Sequence, residues 1–217
     1  MADRTYELIA LGRDHAAATR AAKEAAGLIR ATGPVSYDFQ FGTEGLLERV
    51  VATSWSAPGT LFAAANVTAA FAGEALAGFE LGFAGGEYYR AKDNLAALAS
   101  ALIESGGADL DELMGLTARA DEASYLNAHI AEGVYYVLAL ATVPAFRGKG
   151  AGVALLRAAI ERARAAGMRE LQLDVLADNP AVAFYRHHGL RVLSEVSVPR
   201  LSQECGFPSE LRMGLVL

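Results

Sequence analysis

Residues 135–152 read YYVLALATVPAFRGKGAG. The first eight, Tyr135 to Thr142, carry no charge, as expected of a central strand buried on both faces. A Pro-led connection, Val143 to Phe146, opens into Arg147-Gly148-Lys149-Gly150-Ala151-Gly152, after which a helical pattern runs to Gly167. A second strand pattern covers Glu170 to Leu176, and Asn179-Pro180-Ala181 begins another short helix. Strand, glycine loop, helix and strand in about forty residues make a βαβ unit, whose crossover is right-handed in nearly all cases. The loop decides the chemistry. Three glycines leave the main chain without Cβ shielding, so successive N–H groups can face a guest where the next helix presents its positive end. Such a site takes an anion, most naturally a phosphate.

Spacing narrows which phosphate. A P-loop needs Gly-x-x-x-x-Gly-Lys and then Ser or Thr, but Lys149 is followed by Gly150 and lacks the earlier glycine. A dinucleotide fingerprint needs a third glycine where Val153 stands. Arg147, Gly150 and Gly152 fit Arg-x-x-Gly-x-Gly after a strand ending near Thr142, and here the chain resembles the GNAT superfamily of N-acetyltransferases. Ala181, Phe184, Tyr185 and Gly189 are similar to that family's Ala-x-x-Phe-Tyr-x-x-x-Gly-Phe segment, with Leu190 in place of the final Phe.

The resemblance implies an α/β fold: a central twisted, mostly antiparallel mixed sheet with a parallel, splayed strand pair and flanking helices. It implies acetyl-CoA as co-substrate, its pantetheine arm pairing with the strand at Leu140, Ala141 and Thr142. Its diphosphate would rest on the amides of Arg147, Gly148, Lys149, Gly150, Ala151 and Gly152, with Arg147 or Lys149 adding charge. A side chain at Gly150 or Gly152 would block that approach. Tyr185 holds the position of the family's general acid, and a phenol pKa near ~10 keeps its proton in place at neutral pH. Asn179 either neighbours the cofactor, as the resemblance implies, or caps the following helix. The general base does not transfer, because Gly133 to Thr142 holds no carboxylate; Glu132, Asp174, His129 or a water chain all stay open. The acceptor implied is a primary amine on a small molecule or peptide. A non-catalytic acyl-CoA-binding module and a nucleotide-phosphate enzyme built on Lys149 are the rival classes.

Around this centre the chain of 217 residues reads as one acetyltransferase domain. Tyr6 to Leu11 suits a first strand, and Asp14 an N-cap for a helix over His15 to Arg30. A second helix is expected from Thr43 through Leu46, Leu47, Val50 and Val51, then strands over Leu61–Phe71 and Ala75–Phe83 joined at Gly73-Glu74. The stretch 85–133 reads as a helical insertion before the central strand. One helix is expected on Leu95, Leu98, Leu102 and Ile103, and a shorter one, capped by Asp109, on Leu110, Leu113 and Met114. The resemblance implies that it overhangs the acceptor side of the cleft; the alternative is a homodimer face or a patch over the sheet. The crossover helix, Gly152 to Ala166, should turn Val153, Leu156, Ile160 and Ala163 to the sheet and Arg157, Glu161, Arg162 and Arg164 to water. His187 and His188 suit the negative end of the short helix that follows. Two closing strands, Leu190–Val196 and Arg212–Leu217, flank an irregular Pro199–Glu210 loop.

Hydrophobic residues make up 53% and charged ones 20%, which excludes a disordered chain and leaves room for an apolar self-association face. A net charge of −6 argues against a nucleic-acid surface and suits a cationic substrate better. Cys205 is the lone cysteine, so no internal disulfide can form and a reducing compartment is allowed. Neither a signal-like start nor a membrane-length apolar run is present, so a cytoplasmic location without membrane partners is expected. No His/Cys/carboxylate group has metal-ligand spacing, and no metal is expected.

Overall fold

The computed structural model describes residues 5–42 and 44–217. The start of the chain through residue 4, and the N-cap expected at Thr43, lie outside them. The elements run β1 (Glu7–Ala10), α1 (His15–Thr32), α2 (Pro34–Phe41), α3 (Leu46–Trp55), β2 (Val67–Ala72) and β3 (Ala75–Ala84). Then come α4 (Glu87–Ala96), α5 (Ala99–Glu104), α6 (Leu110–Ala123), β4 (Val134–Thr142), α7 (Ala151–Ala165) and β5 (Glu170–Leu176). The chain closes with α8 (Ala181–His187), β6 (Arg191–Val196), α9 (Pro199–Cys205) and β7 (Glu210–Val216). One seven-stranded sheet is ordered β1-β2-β3-β4-β5-β7-β6. Only the central pair β4–β5 is parallel, as the crossover helix α7 between them demands.

Each face of the sheet carries its own core. Phe71, Phe79 and Leu81 pack with Ile29 of α1 and with Leu46, Leu47 and Val50 of α3. On the other face Leu156, Ala159 and Ala163 of α7 pack on Tyr135, Val137, Leu171, Leu173 and Met213. Fully burying a side chain of this size contributes about 1.5–3 kcal/mol, so the two layers fix the sheet from both sides. The Asp14 cap forms as expected, its Oδ1 accepting from Ala17 N at 2.9 Å. The hairpin at Gly73-Glu74 and the strand pair closing the sheet also form.

Several local expectations give way to long-range packing. Pro34–Phe41 is a helix, with Pro34 at its first position, where the missing N–H has no intrahelical acceptor to lose. The first strand of the hairpin begins only at Val67. Residues 61–66 form turns instead, where Ser54 Oγ accepts from Phe62 N at 3.0 Å and lies 2.7 Å from Thr60 Oγ1. The helix expected on Leu95 to Ile103 is two helices, and Ile103 is exposed. The next helix, α6, is the longer one. Asp109 and Glu112 form a reciprocal capping box at its start, while Leu110 and Met114 face outward at 61% exposure each. Residues 199–205 are helical, anchored by the buried Leu201 against Leu126 and Phe207.

The buried stripe of α7 is Ala151, Leu155, Leu156, Ala159 and Ala163, rotated from the expected one, and Arg162 turns inward. The reason is Glu80 on β3, whose side chain is fully buried. Arg162 donates to both Glu80 Oε2 and Thr68 Oγ1, and Tyr135 Oη donates to Glu80 Oε1 at 3.0 Å. A carboxylate carried into the core needs such partners, and that requirement overrides the water-facing position of Arg162. Burial still pushes the Glu80 carboxyl above its ordinary range, with Arg162 opposing.

Candidate active site

The site begins at a one-residue irregularity. Leu81 pairs with Ala139 and Gly82 with Val137, so Leu138 has no partner on β3 and β4 bulges there. At the same point β4 leaves β5: the parallel pairing runs from Val134↔Glu170 to Val137↔Leu173 and stops. Beyond it the two strands separate, leaving one edge of Leu138 to Thr142 open. Val143 N donates to Ala77 O, so alternate residues back from it, beginning with Ala141, turn their polar groups to β3. The N–H and C=O groups of Leu140 and Thr142 therefore face the gap, and those of Ala141 do not.

The glycine loop lies at the end of this gap. Gly148 (φ +70°) and Gly150 (φ +90°) adopt the left-handed region that other residues resist. The consequence is a set of unused donors. Among the described residues no acceptor meets the N–H groups of Gly148, Gly150, Ala151, Gly152 or Val153, and the first intrahelical bond of α7 is Ala154 N to Gly150 O at 3.0 Å. A Cβ at Gly150 would meet nothing within 4 Å, and one at Gly152 would touch Thr142 Cγ2 at 3.6 Å and Phe184 Cζ at 3.7 Å. Gly148 and Gly150 thus border open space, while Gly152 lies against the side chains of Thr142 and Phe184. Arg147 lines the cleft. Lys149 does not: its Nζ donates to Ala145 O at 2.7 Å, and its carbonyl accepts from Tyr6 Oη at 2.8 Å.

Gap and loop open into a cleft of about 990 Å³ whose walls come from both halves of the chain. Leu140, Thr142, Gly148, Asn179 and Tyr185 line it, and so do Leu95, Leu102, Leu113 and Leu116 from the helices of the 85–133 stretch. Asn179 Nδ2 donates to Thr32 O at 3.1 Å and its Oδ1 accepts from Ala181 N at 2.9 Å, so this side chain ties the start of α8 to the end of α1. Tyr185 sits on α8, buried at 6% exposure, and burial raises its phenol pKa well above the ordinary value. Its hydroxyl makes no hydrogen bond to the described residues.

Of the carboxylates and histidines left open as bases, none is poised. Asp174 is 6% exposed through its side chain and fully engaged. Its Oδ1 accepts from Arg212 Nε at 2.5 Å, and its Oδ2 from Arg212 Nη2 at 2.8 Å and from Tyr136 Oη at 3.0 Å. His129 stacks on Tyr89 and shares a 3.0 Å hydrogen bond with its hydroxyl, outside the cleft lining, as is the exposed Glu132. The residue that sequence reasoning passed over is Glu210, at the start of β7. It lines the cleft, its side chain has no hydrogen bond or ion pair among the described residues, and its carboxyl is pushed up to about 7. Burial is the main cause, the charge of Asp174 adds to it, and Arg212 opposes. No motif flags this glutamate; only its place in the sheet does.

The profile of the acetyltransferase (GNAT) family matches residues 72–190, which span β3, the bulge, the glycine loop and α8. The chain belongs to the GNAT acetyltransferase family. This GNAT chain resembles a solved acetyltransferase at TM-score 0.65 and 16% identity, covering 97% of this chain and 98% of that one. It resembles an N-acetyltransferase from Staphylococcus aureus Mu50 at TM-score 0.64 and 12% identity, over 89% and 96%. An IAA acetyltransferase from Bacillus cereus ATCC 14579 follows at TM-score 0.51 and 15% identity, over 98% and 99%. At such identities the likeness is one of fold. No curated protein matches the chain in sequence. As a GNAT-type N-acetyltransferase it transfers an acyl group from an acyl-CoA to an amine acceptor. Among the described residues no helix is long and apolar enough to cross a membrane, and no cluster of three or more His, Cys, Asp or Glu could hold a metal ion.

Proposed function

We propose that the chain is one domain that moves an acetyl group from acetyl-CoA to a primary amine of a small molecule or peptide, by direct attack of the amine on the thioester. The single observation that carries this reading is the parting of β4 from β5 at Leu138, with the unused N–H groups of the glycine loop at the end of the gap. A strand edge with free donors and acceptors is a template for an extended amide-bearing chain, and pantetheine is one. Leu140 and Thr142 pair with it. The N–H groups of Gly148 and Gly150 to Gly152 receive the diphosphate, reinforced by the positive end of α7. Ala141 and Lys149, expected among the binding residues, contribute through their place in the backbone rather than by polar groups turned to the cleft. Asn179 holds α8 in position, and Tyr185 gives the departing thiolate its proton.

Two outcomes check the cofactor half. Gly152→Val leaves backbone strain aside, because Gly152 is not in the left-handed region, and it crowds the first turn of α7. Its dissociation constant for acetyl-CoA by calorimetry is expected to rise by about 10-fold or more, with little change in melting temperature. Unchanged affinity would refute the loop assignment. For the charges, Arg147→Ala is expected to raise KM for acetyl-CoA by about 5- to 10-fold. Lys149→Ala should change it by less than about twofold, since its ammonium is directed to Ala145 O. The reverse ranking in steady-state kinetics would show that Lys149 holds the diphosphate.

A further inference from the structure

The glycine loop, the gap and Tyr185 account for the cofactor and the leaving group, and they leave the acceptor without a receptor. On the β7 side of the cleft stands a carboxylate that nothing in the fold uses. The Glu210 side chain has no hydrogen-bond or ion-pair partner among the described residues. The carboxylate beside it, Asp174, has both oxygens occupied by Arg212 and Tyr136. Asp174 on β5 and Arg212 on β7 act on the Glu210 carboxylate, and its charge in turn reaches Tyr136 on β4, Tyr88 on α4 and Tyr37 on α2. Three of these are phenols that line the same cleft, and Tyr88 and Tyr136 meet edge to face at 5.1 Å between ring centres. A carboxylate with no cation of its own is a receptor for one, which it attracts by its charge; the face of Tyr136 is already taken by the Arg212 guanidinium at 5.3 Å.

We infer that Glu210 receives the acceptor as a primary ammonium and acts as the general base that frees its lone pair, with the apolar side chains of α4 to α6 holding an apolar body behind the amine. This rests on the acetyl-transfer reading given above. Glu210 takes one proton from the ammonium. The freed nitrogen attacks the thioester carbonyl, forming the C–N bond as the C–S bond breaks, and the sulfur takes the phenol proton of Tyr185. The second proton leaves the nitrogen as the amide forms and restores Tyr185, while Glu210 returns its own to solvent. A base titrating near neutrality suits this role, since it is ionised at working pH yet accepts a proton readily. The apolar stretch formed by Leu95, Leu102, Leu113 and Leu116, between Lys92 of α4 and Asp121 of α6, suits an alkyl or arylalkyl chain.

The test compares wild type with Glu210→Gln, a substitution of equal size that removes only the charge and the basicity. Acetyl-CoA affinity is measured by calorimetry, phenethylamine and n-hexylamine binding by thermal shift in the presence of CoA, and turnover of both amines from pH 5.5 to 9. Wild type is expected to bind both amines and to show a rising limb in kcat/KM near pH 7. Glu210→Gln should bind acetyl-CoA as wild type does, lose the amine-dependent thermal shift, lose that limb, and fall about 100-fold or more in kcat/KM. Turnover by Glu210→Gln within about threefold of wild type, with the limb retained, would overturn the assignment. So would a wild type that binds acetyl-CoA but neither amine. A wild type that fails to bind acetyl-CoA would instead sink the cofactor reading on which this one rests.

Discussion

Tyr185→Phe is expected to lower kcat by about 100-fold or more while acetyl-CoA affinity stays within about twofold. The substitution removes one oxygen and leaves the ring, which packs with Val137, Leu171 and Leu190 in the core on the α7 face. The phenol makes no hydrogen bond to the described residues, so its loss leaves no buried group unpaired and the melting temperature should hold. Burial keeps the phenol protonated far above neutrality, so it enters the reaction as a donor and does not itself limit activity below pH 9. Its proton is most needed as the thiolate departs, and only interactions stronger in the transition state raise kcat. Steady-state kinetics with calorimetry in parallel separate this from packing. Normal turnover would remove Tyr185 from the mechanism, and a falling melting temperature with normal turnover would make it a core residue.

Asp174→Ala is expected to destabilise the protein by about 3–5 kcal/mol in chemical denaturation. Arg212 is only 4% exposed, and besides Asp174 it reaches Gln172 Oε1 at 3.1 Å and the carbonyl of Ala128 at 2.6 Å. Taking away the carboxylate strands a guanidinium where water does not reach, and leaves Tyr136 Oη without its acceptor. The pair joins β5 to β7 and ties both to the segment before β4, so its loss also loosens the cleft wall that carries Glu210. Replacing both partners, Asp174→Leu with Arg212→Met, should recover most of the loss, because the penalty lies in the unpaired charge. A single-mutant effect below about 1 kcal/mol would mean that water reaches Arg212.

What could be read from sequence was what depends on neighbours in the chain. The uncharged run before a glycine loop gives a buried strand and a tight turn into a helix, and both formed at the residues expected. Asp14 and Asp109 cap helices because capping is a matter of one side chain and the next turn. What escaped depends on partners far away in sequence. Arg162 looks like a water-facing helix residue until Glu80, 82 positions earlier, is found buried beneath it. Residues 199–205 look irregular until Leu201 finds Leu126 and Phe207. Leu138 is one apolar residue in an apolar strand, and only the pairing on either side makes it the bulge that opens the site. Glu210 is silent for the same reason, since a single glutamate between loop and strand acquires its character from its burial in the cleft wall and from Asp174 beside it, with Arg212 opposing.

The account turns on where the cofactor lies, and a crystal structure of the protein with CoA measures that directly. The account predicts diphosphate oxygens within about 3 Å of the N–H groups of Gly148, Gly150, Ala151 and Gly152, and pantetheine amides paired with Leu140 and Thr142 between the parted strands. CoA bound elsewhere, or β4 and β5 joined along their full length with CoA excluded, would contradict it.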